Sequence, residues 1–547
     1  MRTGGQAVVA TLERNEIDLV FCLPGESFLP VLDALHDSPI RLITSRHEQG
    51  AANSAEAYGK LTGRPGVCLV TRGPGATQAA VGVHTARQDS TPLLLLVGDV
   101  PRAFRGREAW QEVDYERVFG GLAKAAWTLE NVDTVAEDVT QAVETSLSGR
   151  PGPVVLAMPE DVLQDSTDAG DSAPVVPVTP RPADADLDRL RELLAAAERP
   201  LVVVGEGGWT QRTGEDVLAF CEASVLPVAT AFRCQDFVDN CSSSYVGVLG
   251  VAMDEQLAGR LRDADVVVAV GGRLGEVPSR RYTLVEPPRP RQTIVHVHPD
   301  PAELGFVYET ELPIVSGLPA FAAALRGLEP LVPRWREWTA AARADYEDNL
   351  RHEPMEGPVD LGEIMAFLRE RLPDDAVQTC GAGNFTVWAH RFAEFRRYGT
   401  QLGPRSGSMG YGLSAAIAAK LVHPERVVVC FTGDGDFVMS SPELATAVQY
   451  GLPIVVLLVN NGMYATIRMH QERVYPRRVV GTDLVNPDFP ALARAYGAYA
   501  ERVEQTEDFE SAFERALAAG APAVLELPVD TERISPRVRL SALRGEG

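Results

Sequence analysis

Short runs of apolar, β-branched residues recur along the chain, and most of them end in Gly, Asp or Pro. Continuous runs of this length are typical of strands buried on both faces of a parallel sheet. Stretches of helical period, such as 186–197 and 361–372, lie between them. The alternation predicts an α/β fold of doubly wound, mainly parallel sheets. The predicted strands are 67–71, 93–97, 154–158, 201–204, 265–270, 294–297, 426–431, 454–459 and 523–527.

Two polar segments interrupt this alternation. Residues 165–185 are rich in Pro, Asp and Ser, which suits a solvated linker. Residues 344–360 form a second candidate linker with a weaker compositional signal. We therefore expect three domains, at 1–164, 186–343 and 361–547. The first and third each contain the pattern of a complete α/β unit, which suggests two related layers with a third inserted between them.

Composition narrows the class of protein. The formal net charge is −24, so a broad contact with nucleic acid or with an anionic membrane is not expected. The seven cysteines are scattered, and none lies in a C-x-x-C pattern, which indicates a reducing compartment. The N-terminus lacks the apolar core of a signal peptide, and no apolar run is long enough to span a membrane. We expect a cytoplasmic protein.

The most informative motif is Gly433-Asp434-Gly435-Asp436, which follows a predicted strand. Ligands of open α/β sheets collect at the carboxyl ends of strands, and glycines let backbone amides approach an anion closely. A carboxylate such as Asp434 suits Mg²⁺, which binds through few carboxylates together with phosphate and water. Taken alone, however, G-D-G is also an ordinary strand-to-turn sequence.

A second motif, Asn460-Asn461-Gly462-Met463-Tyr464, follows the next predicted strand. Positions 436–459 separate the motifs by 24 residues, enough for one helix and one strand. The two loops are therefore predicted to lie side by side at one sheet edge, where the amide oxygen of Asn461 and a backbone carbonyl near Met463 can complete the metal site.

Together these motifs resemble those of the thiamine-diphosphate-dependent enzymes, in which G-D-G is followed at this spacing by N-N. In that family the first Asp and the second Asn bind the metal, so the resemblance implies metal-ligand roles for Asp434 and Asn461, with Met463 beside them. It implies cofactor contacts for Gly433, Gly435, Asp436 and Tyr464.

Glu48 is the candidate activating carboxylate. Ser45 and Glu48 form the S-x-x-E pattern of a capping box, which predicts an Ala-rich helix beginning there. The family also places a glutamate of an R-H-E motif at such a helix start, and Arg46-His47-Glu48 matches it. The resemblance implies that this carboxyl group bonds the aminopyrimidine of the cofactor and promotes loss of the thiazolium proton.

Two Gly-rich turns, at 23–27 and 71–77, flank the R-H-E motif. The two turns and the motif together resemble the pyrimidine-binding domain of acetolactate synthases. The resemblance covers almost the whole chain and implies cofactor contacts from Pro24, Gly25 and Glu26, with Met409 as the apolar residue that bends the cofactor. It also implies pyrimidine, central and diphosphate domains in a homodimer or homotetramer. Glu48 of one subunit would then meet the cofactor held by Asp434 of another.

Ala109-Trp110-Gln111-Glu112 looks like the A-F-Q-E motif of acetolactate synthases, which makes Gln111 and, thirteen residues later, Lys124 candidate catalytic residues. An ordinary role as a polar side chain at the protein surface would explain the presence of either residue equally well. Other positions depart from the family. Asn384-Phe385 stand where the family usually has Gln-His near the diphosphate. Ala465-Thr466 and His470 replace the Gly-Met and the tryptophan that are typical of branched-chain synthesis.

Glycine patterns after two central strands, at 205–208 and 271–275, leave FAD open as a second cofactor, since some relatives hold it there and others do not. His298 replaces an aspartate that the family carries. The predicted function is a Mg²⁺-dependent carboligase that decarboxylates a 2-keto acid and joins the product to a second carbonyl. The alternatives are another thiamine enzyme, acting as a keto-acid decarboxylase, aldehyde lyase or pyruvate oxidase, and a non-catalytic paralogue.

Overall fold

A computed structural model describes residues 1–355 and 357–545. Its strands are β1 (Arg2–Thr3), β2 (Leu19–Cys22), β3 (Arg41–Thr44), β4 (Gly66–Val70), β5 (Leu93–Asp99), β6 (Ala125–Thr128), β7 (Pro153–Pro159), β8 (Ser166–Thr167), β9 (Pro200–Val204), β10 (Val228–Ala231), β11 (Tyr245–Leu249), β12 (Val266–Val270), β13 (Thr293–His298), β14 (Leu312–Val315), β15 (Val377–Cys380), β16 (Gln401–Leu402), β17 (Val428–Gly433), β18 (Val455–Asn460), β19 (Tyr499–Arg502), β20 (Ala523–Pro528), β21 (Arg533–Ser535) and β22 (Val538–Arg539).

The α-helices are α1 (Gly4–Arg14), α2 (Leu29–His36), α3 (Glu48–Thr62), α4 (Gly73–Asp89), α5 (Tyr115–Phe119), α6 (Val135–Leu147), α7 (Glu160–Gln164), α8 (Asp184–Ala196), α9 (Gln211–Ala223), α10 (Glu255–Asp263), α11 (Leu318–Arg326), α12 (Arg336–Asn349), α13 (Leu361–Arg371), α14 (Thr386–Phe392), α15 (Tyr411–Val422), α16 (Asp434–Ser440), α17 (Glu443–Gln449), α18 (Ala465–Val474), α19 (Phe489–Tyr496), α20 (Phe509–Ala518) and α21 (Leu540–Leu543).

The nine predicted strands are confirmed as β4, β5, β7, β9, β12, β13, β17, β18 and β20, with ends shifted by at most two residues. The two predicted helices are confirmed as α8 and α13. Local sequence sufficed here because these runs are apolar throughout, and burial of both strand faces requires that pattern.

The chain divides into two compact units. The first comprises Met1–Val178, Pro404–Pro424 and Met439–Leu452. Its parallel sheet has the order β3-β2-β4-β5-β7-β6. Helices α15 and α17 belong to this unit although they lie far along the chain, and α15 packs on α3.

The second unit comprises Thr179–Gly403, Glu425–Val438 and the chain from Pro453 onward, and it contains two parallel sheets. The first of them has the order β11-β10-β9-β12-β13-β14. Successive residues of β9 alternate between two apolar clusters, with Val202 and Val204 in one and Leu201 and Val203 in the other. Both faces of this sheet are therefore covered, as a doubly wound fold requires.

The other sheet of this unit has the order β16-β15-β17-β18-β20-β19 and is also parallel. Strands β17 and β18 are neighbours, and Gly433 at the end of β17 pairs with Val459 of β18. The predicted α/β class with three doubly wound parallel sheets is confirmed. None of the helices described at 1–355 and 357–545 is long and apolar enough to cross a membrane.

Candidate active site

The carboxyl edge of the β17–β18 pair lies in the second unit and carries the two predicted motifs. The chain leaves β15 toward β16 on one side and returns to β17 on the other, so the strand order reverses between β15 and β17. Open α/β sheets bind ligands at such a reversal. Asp434 begins α16 directly after β17, and Asn461 directly follows β18.

Asp434 is the centre of this edge. Its carboxylate is only 4% exposed. Oδ1 accepts a hydrogen bond from the Gly435 N–H (2.9 Å), and Oδ2 accepts bonds from the Gly462 N–H (2.8 Å) and from Asn486 Nδ2 (2.8 Å). The bond from Gly462 joins the G-D-G loop to the N-N loop, so the two motifs lie side by side as predicted.

The chemistry of this donor set fits a magnesium ion. The three groups that donate to Asp434 are neutral, and no cationic side chain among the described residues forms an ion pair with it. A buried carboxylate without a counter-charge is costly, and a bound cation relieves that cost. A single carboxylate surrounded by amide groups suits Mg²⁺, which binds through few carboxylates.

The other predicted residues of this edge surround Asp434. Asn461 Oδ1 accepts the Met463 N–H (3.2 Å), which shapes the turn after β18, and Met463 is buried. A Cβ on Gly435 would lie 2.5 Å from the Tyr464 ring, and one on Gly433 would lie 2.9 Å from a neighbouring phenylalanine ring. Both glycines are thus required by close packing as well as by any ligand.

Asp436 makes structural contacts with two neighbouring segments. Its Oδ2 accepts the Thr432 hydroxyl (2.8 Å) and its Oδ1 accepts the Ala382 N–H (3.3 Å) in the loop after β15. A Cβ on Gly381 would lie 2.1 Å from this carboxylate. Asp436 therefore ties the loop after β15 to the loop after β17.

Asn384, in the loop after β15, is buried and accepts the Thr466 hydroxyl at 2.9 Å. The two departures from the family pattern at 384 and 466 therefore meet in one hydrogen bond. His470, four residues further along α18, is exposed.

Glu48 belongs to the first unit and begins α3, at the carboxyl edge of that unit's sheet. Its side chain is 5% exposed, yet no hydrogen bond from the described residues reaches its carboxylate. A Cβ on Gly75 would lie 3.5 Å from Glu48 Oε1. The carboxylate oxygens are therefore open to a hydrogen bond from a ligand.

The predicted capping box is wrong. The helix begins at Glu48 itself, and its cap is His47, whose Nδ1 accepts the Gln49 N–H at 3.1 Å. The Ser45 N–H donates to the Cys22 carbonyl (2.9 Å) and continues the pairing of β2 and β3. Glu443 Oε1 accepts the N–H groups of Arg46 and His47, both at 3.0 Å.

The remaining cofactor candidates of the first unit lie in two loops. Pro24 and Glu26 are exposed after β2, and between them Gly25 approaches Thr71, where a Cβ would lie 2.6 Å from the threonine Cβ. Met409 is half-buried before α15, and its carbonyl accepts Gln49 Nε2 at 3.2 Å.

Gln111 and Lys124 lie at different places. Gln111 has a left-handed backbone (φ 67°), its carbonyl accepts the Gly73 N–H at the start of α4, and its Oε1 is buried without a partner. Lys124 precedes β6, at the amino edge of the same sheet, and its Nζ donates to the Arg150 carbonyl at 2.9 Å. The structure does not bring Lys124 to the edge that carries Glu48.

Two residues of the site had no sequence signal. Asn486 also donates to Asn460 Oδ1 (2.9 Å), and it stands in an Asn-Pro turn that predicts only a loop. Glu443 lies 395 positions beyond Glu48, and its sequence context predicts only the first turn of a helix. Neither contact follows from local spacing.

Three family models match the chain. The model described as "Thiamine pyrophosphate enzyme, N-terminal TPP binding domain" matches residues 2–118, the corresponding central domain matches 187–325, and the C-terminal TPP binding domain matches 381–527.

Curated relatives match over nearly the full length. The chain is 31% identical to the acetolactate synthase large subunit of Parasynechococcus marenigrum, over 96% of this chain and 87% of that protein. It is 30% identical to the acetolactate synthase isozyme 2 large subunit of Escherichia coli (99% and 98%) and 30% identical to the acetolactate synthase large subunit of Corynebacterium glutamicum (94% and 84%).

Proposed function

The chain belongs to the thiamine pyrophosphate enzyme family, and from that premise we propose that it is a Mg²⁺-dependent carboligase of the acetolactate synthase type. It would decarboxylate a 2-keto acid such as pyruvate and join the resulting acyl unit to a second 2-keto acid or aldehyde. The full-length similarity to acetolactate synthases supports the type of reaction.

One observation of the structure carries the proposal. The Gly462 N–H donates to Asp434 Oδ2 at 2.8 Å, which holds the G-D-G and N-N loops together around a buried carboxylate that has no cationic partner among the described side chains. We propose that Asp434, the Asn461 amide and the Met463 carbonyl hold Mg²⁺ there. The amides of Gly433 and Gly435 would face the diphosphate, with Asn384 and Tyr464 beside it.

When bound, thiamine diphosphate would supply a nucleophilic carbon and an electron sink for decarboxylation. The chain's own contribution to that chemistry would be a proton held at the Glu48 carboxyl group. Because no described residue bonds this carboxylate, a ring nitrogen placed against it would be its partner and would exchange a proton with it directly.

The substrate would be oriented by Gln111, whose buried Oε1 lacks a partner. Arg72, Phe104 and the neighbouring Trp110 line a cavity of about 370 Å³, where the Arg72 guanidinium pairs with Glu160 (2.9 Å) and its Nε lacks a hydrogen-bond partner. We propose that the carboxylate of a 2-keto acid would compete with Glu160 for this guanidinium group, with its short chain against the apolar wall. Lys124 is left out of this arrangement because its ammonium group is bonded at the opposite sheet edge.

We propose a homodimer or homotetramer in which Glu48 of one subunit serves the cofactor held by Asp434 and Asn461 of another. Pro24, Gly25, Glu26 and Met409 would contact that cofactor from the same subunit as Glu48. The partnerless state of the Glu48 carboxylate supports this arrangement, since its partner then comes with the second subunit's cofactor.

The central sheet does not fit a flavin diphosphate. Its strand order reverses between β9 and β12, and the turn after β9 carries Glu206, which is 8% exposed. This carboxylate bonds Arg273 Nε through both oxygens (2.9 and 2.7 Å) and also takes the Arg273 backbone N–H (3.2 Å). A diphosphate at this turn would have to displace the Glu206 carboxylate from that N–H and break its ion pair with Arg273. We therefore propose no flavin chemistry.

The proposed function is tested by incubating the protein with pyruvate, thiamine diphosphate and Mg²⁺ and identifying the products by mass spectrometry. Acetolactate is expected. Acetaldehyde as the only product would indicate a decarboxylase, and acetate or acetyl phosphate would indicate an oxidase. No turnover of any 2-keto acid would indicate a non-catalytic paralogue. Asp434→Ala is the matched variant, because it should lose Mg²⁺-dependent cofactor binding in calorimetry while keeping its fold.

A further inference from the structure

A second cavity, of about 850 Å³, lies in the second unit beside the C-terminal hairpin β21–β22 and shares no residue with the candidate active site. Its lining contains two carboxylates and five arginines. The arginines are Arg351, Arg391, Arg533, Arg537 and Arg539. The whole chain has 75 acidic and 51 basic residues, so this wall reverses the protein's overall charge.

Two of these guanidinium groups have no carboxylate partner among the described residues. Arg391 donates to the backbone carbonyls of Asn349 (2.8 Å) and Arg351 (3.4 Å). Arg533 donates to the Pro536 carbonyl (2.7 Å), and its Nε is buried without any hydrogen bond. Elsewhere in the same unit, exposed arginines such as Arg371 and Arg515 pair with glutamates.

The crowding of positive charge is unfavourable without a ligand. Burial is the main cause that lowers the pKa of Arg391 to about 10. The charges of Arg537 and, more weakly, Arg533 act in the same direction, against the opposing charges of Asp254 and Glu353. A half-buried, unpaired cation carries a desolvation cost that a bound anion would remove. Arg537 and Arg351 of the same wall are ion-paired with Asp254 (2.8 Å) and Asp348 (3.2 Å), so the uncompensated positive charge lies on Arg391 and Arg533.

We propose that this cavity binds a phosphorylated small molecule that carries two or more phosphate groups. A planar guanidinium group can bind two phosphate oxygens at once. Several guanidinium groups around one cavity therefore favour a ligand with a chain of phosphate groups over a ligand with a single anionic group. The volume is within the range of small-molecule sites. Phe392, Pro536 and Ala542 add an apolar side to the lining, which suits the organic part of a nucleotide.

The test is calorimetry with ATP as the probe, on the holoenzyme saturated with thiamine diphosphate and Mg²⁺ so that the diphosphate site at Asp434 is filled. Saturable binding of one ATP per chain is expected, with AMP binding at least about tenfold more weakly because fewer phosphate oxygens meet the guanidinium groups. Inorganic tripolyphosphate is the second arm. Its binding with ATP-like affinity would show that the phosphate chain alone is recognised, and weaker binding would show that the organic part also contributes.

The double variant Arg391→Gln, Arg533→Gln should lose ATP affinity by at least about tenfold. Arg371→Gln, Arg515→Gln is the matched control, because it removes two exposed, paired guanidinium groups and should leave the affinity unchanged. Arg539→Gln alone provides a milder variant if the double variant does not fold. No saturable ATP binding at millimolar concentration, equal binding of AMP, or unchanged affinity in folded Arg391 and Arg533 variants would overturn the proposal.

Discussion

The side-chain amide of Asn486 donates a 2.8 Å hydrogen bond to the Asp434 carboxylate, 52 positions away, and a 2.9 Å bond to the Asn460 side chain. One amide group therefore fixes the residues that end β17 and β18 relative to each other. A group that orients a metal ligand in this way contributes to affinity without touching the metal.

Asn486→Ala should weaken Mg²⁺-dependent binding of thiamine diphosphate by about 10–100-fold, the range for lost partners of metal ligands. Calorimetry at several Mg²⁺ concentrations measures it. The expected pattern is a weaker apparent affinity with turnover partly restored at high Mg²⁺. Wild-type Mg²⁺ dependence in a folded variant would assign Asn486 a role in the loop alone.

Gly50→Ala should impair activity although alanine favours a helix. A Cβ at this position of α3 would lie 2.2 Å from Glu443 Oε1, so Glu443 would have to leave the N–H groups of Arg46 and His47. That movement would disturb the turn that presents Glu48. We expect a lower kcat, measured at saturating cofactor.

Gly259→Ala is the matched control for that substitution. It lies inside α10, and a Cβ there would meet only Arg262 Nη2, at the ordinary distance of 3.5 Å. The helix should gain up to about 1 kcal/mol from the change. Equal loss of kcat in both variants would show that the effect of Gly50→Ala does not come from Glu443.

The start of α3 illustrates how far sequence could predict this site. The R-H-E motif and the helix after it were predictable, because both depend on neighbouring residues. The bonds from the Arg46 and His47 N–H groups to Glu443 were not predictable, since Glu443 is 397 positions from Arg46. The turn that precedes the helix is thus held by a residue that no local pattern includes.

In the loops after β17 and β18, too, some features could be predicted from the sequence and others could not. Their proximity was predictable, because adjacent parallel strands end at one edge and the Gly/Asp and Asn signals mark those ends. The Asn486 contact arises from a turn far along the chain, and the Asn384–Thr466 bond joins the loop after β15 to α18. Such pairings depend on tertiary packing, for which a single sequence carries no periodic signal.

Acid should destabilise the protein partly through His390. Burial, with a smaller effect of the Arg233 charge, lowers the pKa of His390 to about 3 from an ordinary value of 6.5. The unfolded chain therefore takes up the proton first, so the contribution is complete above pH 6.5 and is lost as pH falls from 6.5 toward 3. The loss should be about 1.4 kcal/mol per pH unit within that window.

His390→Gln should flatten the fall in melting temperature between pH 6.5 and pH 4.5, as followed by calorimetry. His470→Gln is the control, because His470 is exposed and should leave the slope as in the wild type. Parallel curves for wild type and His390→Gln would contradict a neutral, buried His390.

The central domain should not take up FAD, because Glu206 occupies the Arg273 N–H at the turn where a diphosphate would bind. The purified protein is expected to be colourless and to show no flavin absorbance after incubation with FAD and gel filtration. A yellow protein that retains one flavin per chain would contradict this reading of the Glu206–Arg273 pair.

Glu48→Gln tests the central claim most directly, since it removes the acid–base function and keeps the size of the side chain. Glu48 is the first residue of α3, so loss of its charge should cost the helix only about 0.3–1 kcal/mol. The variant should fold and bind thiamine diphosphate with Mg²⁺. Exchange of the cofactor's C2 proton with deuterium, followed by NMR, should slow by roughly 10²–10⁴-fold relative to the wild type. Exchange at the wild-type rate would show that Glu48 is not the activating group.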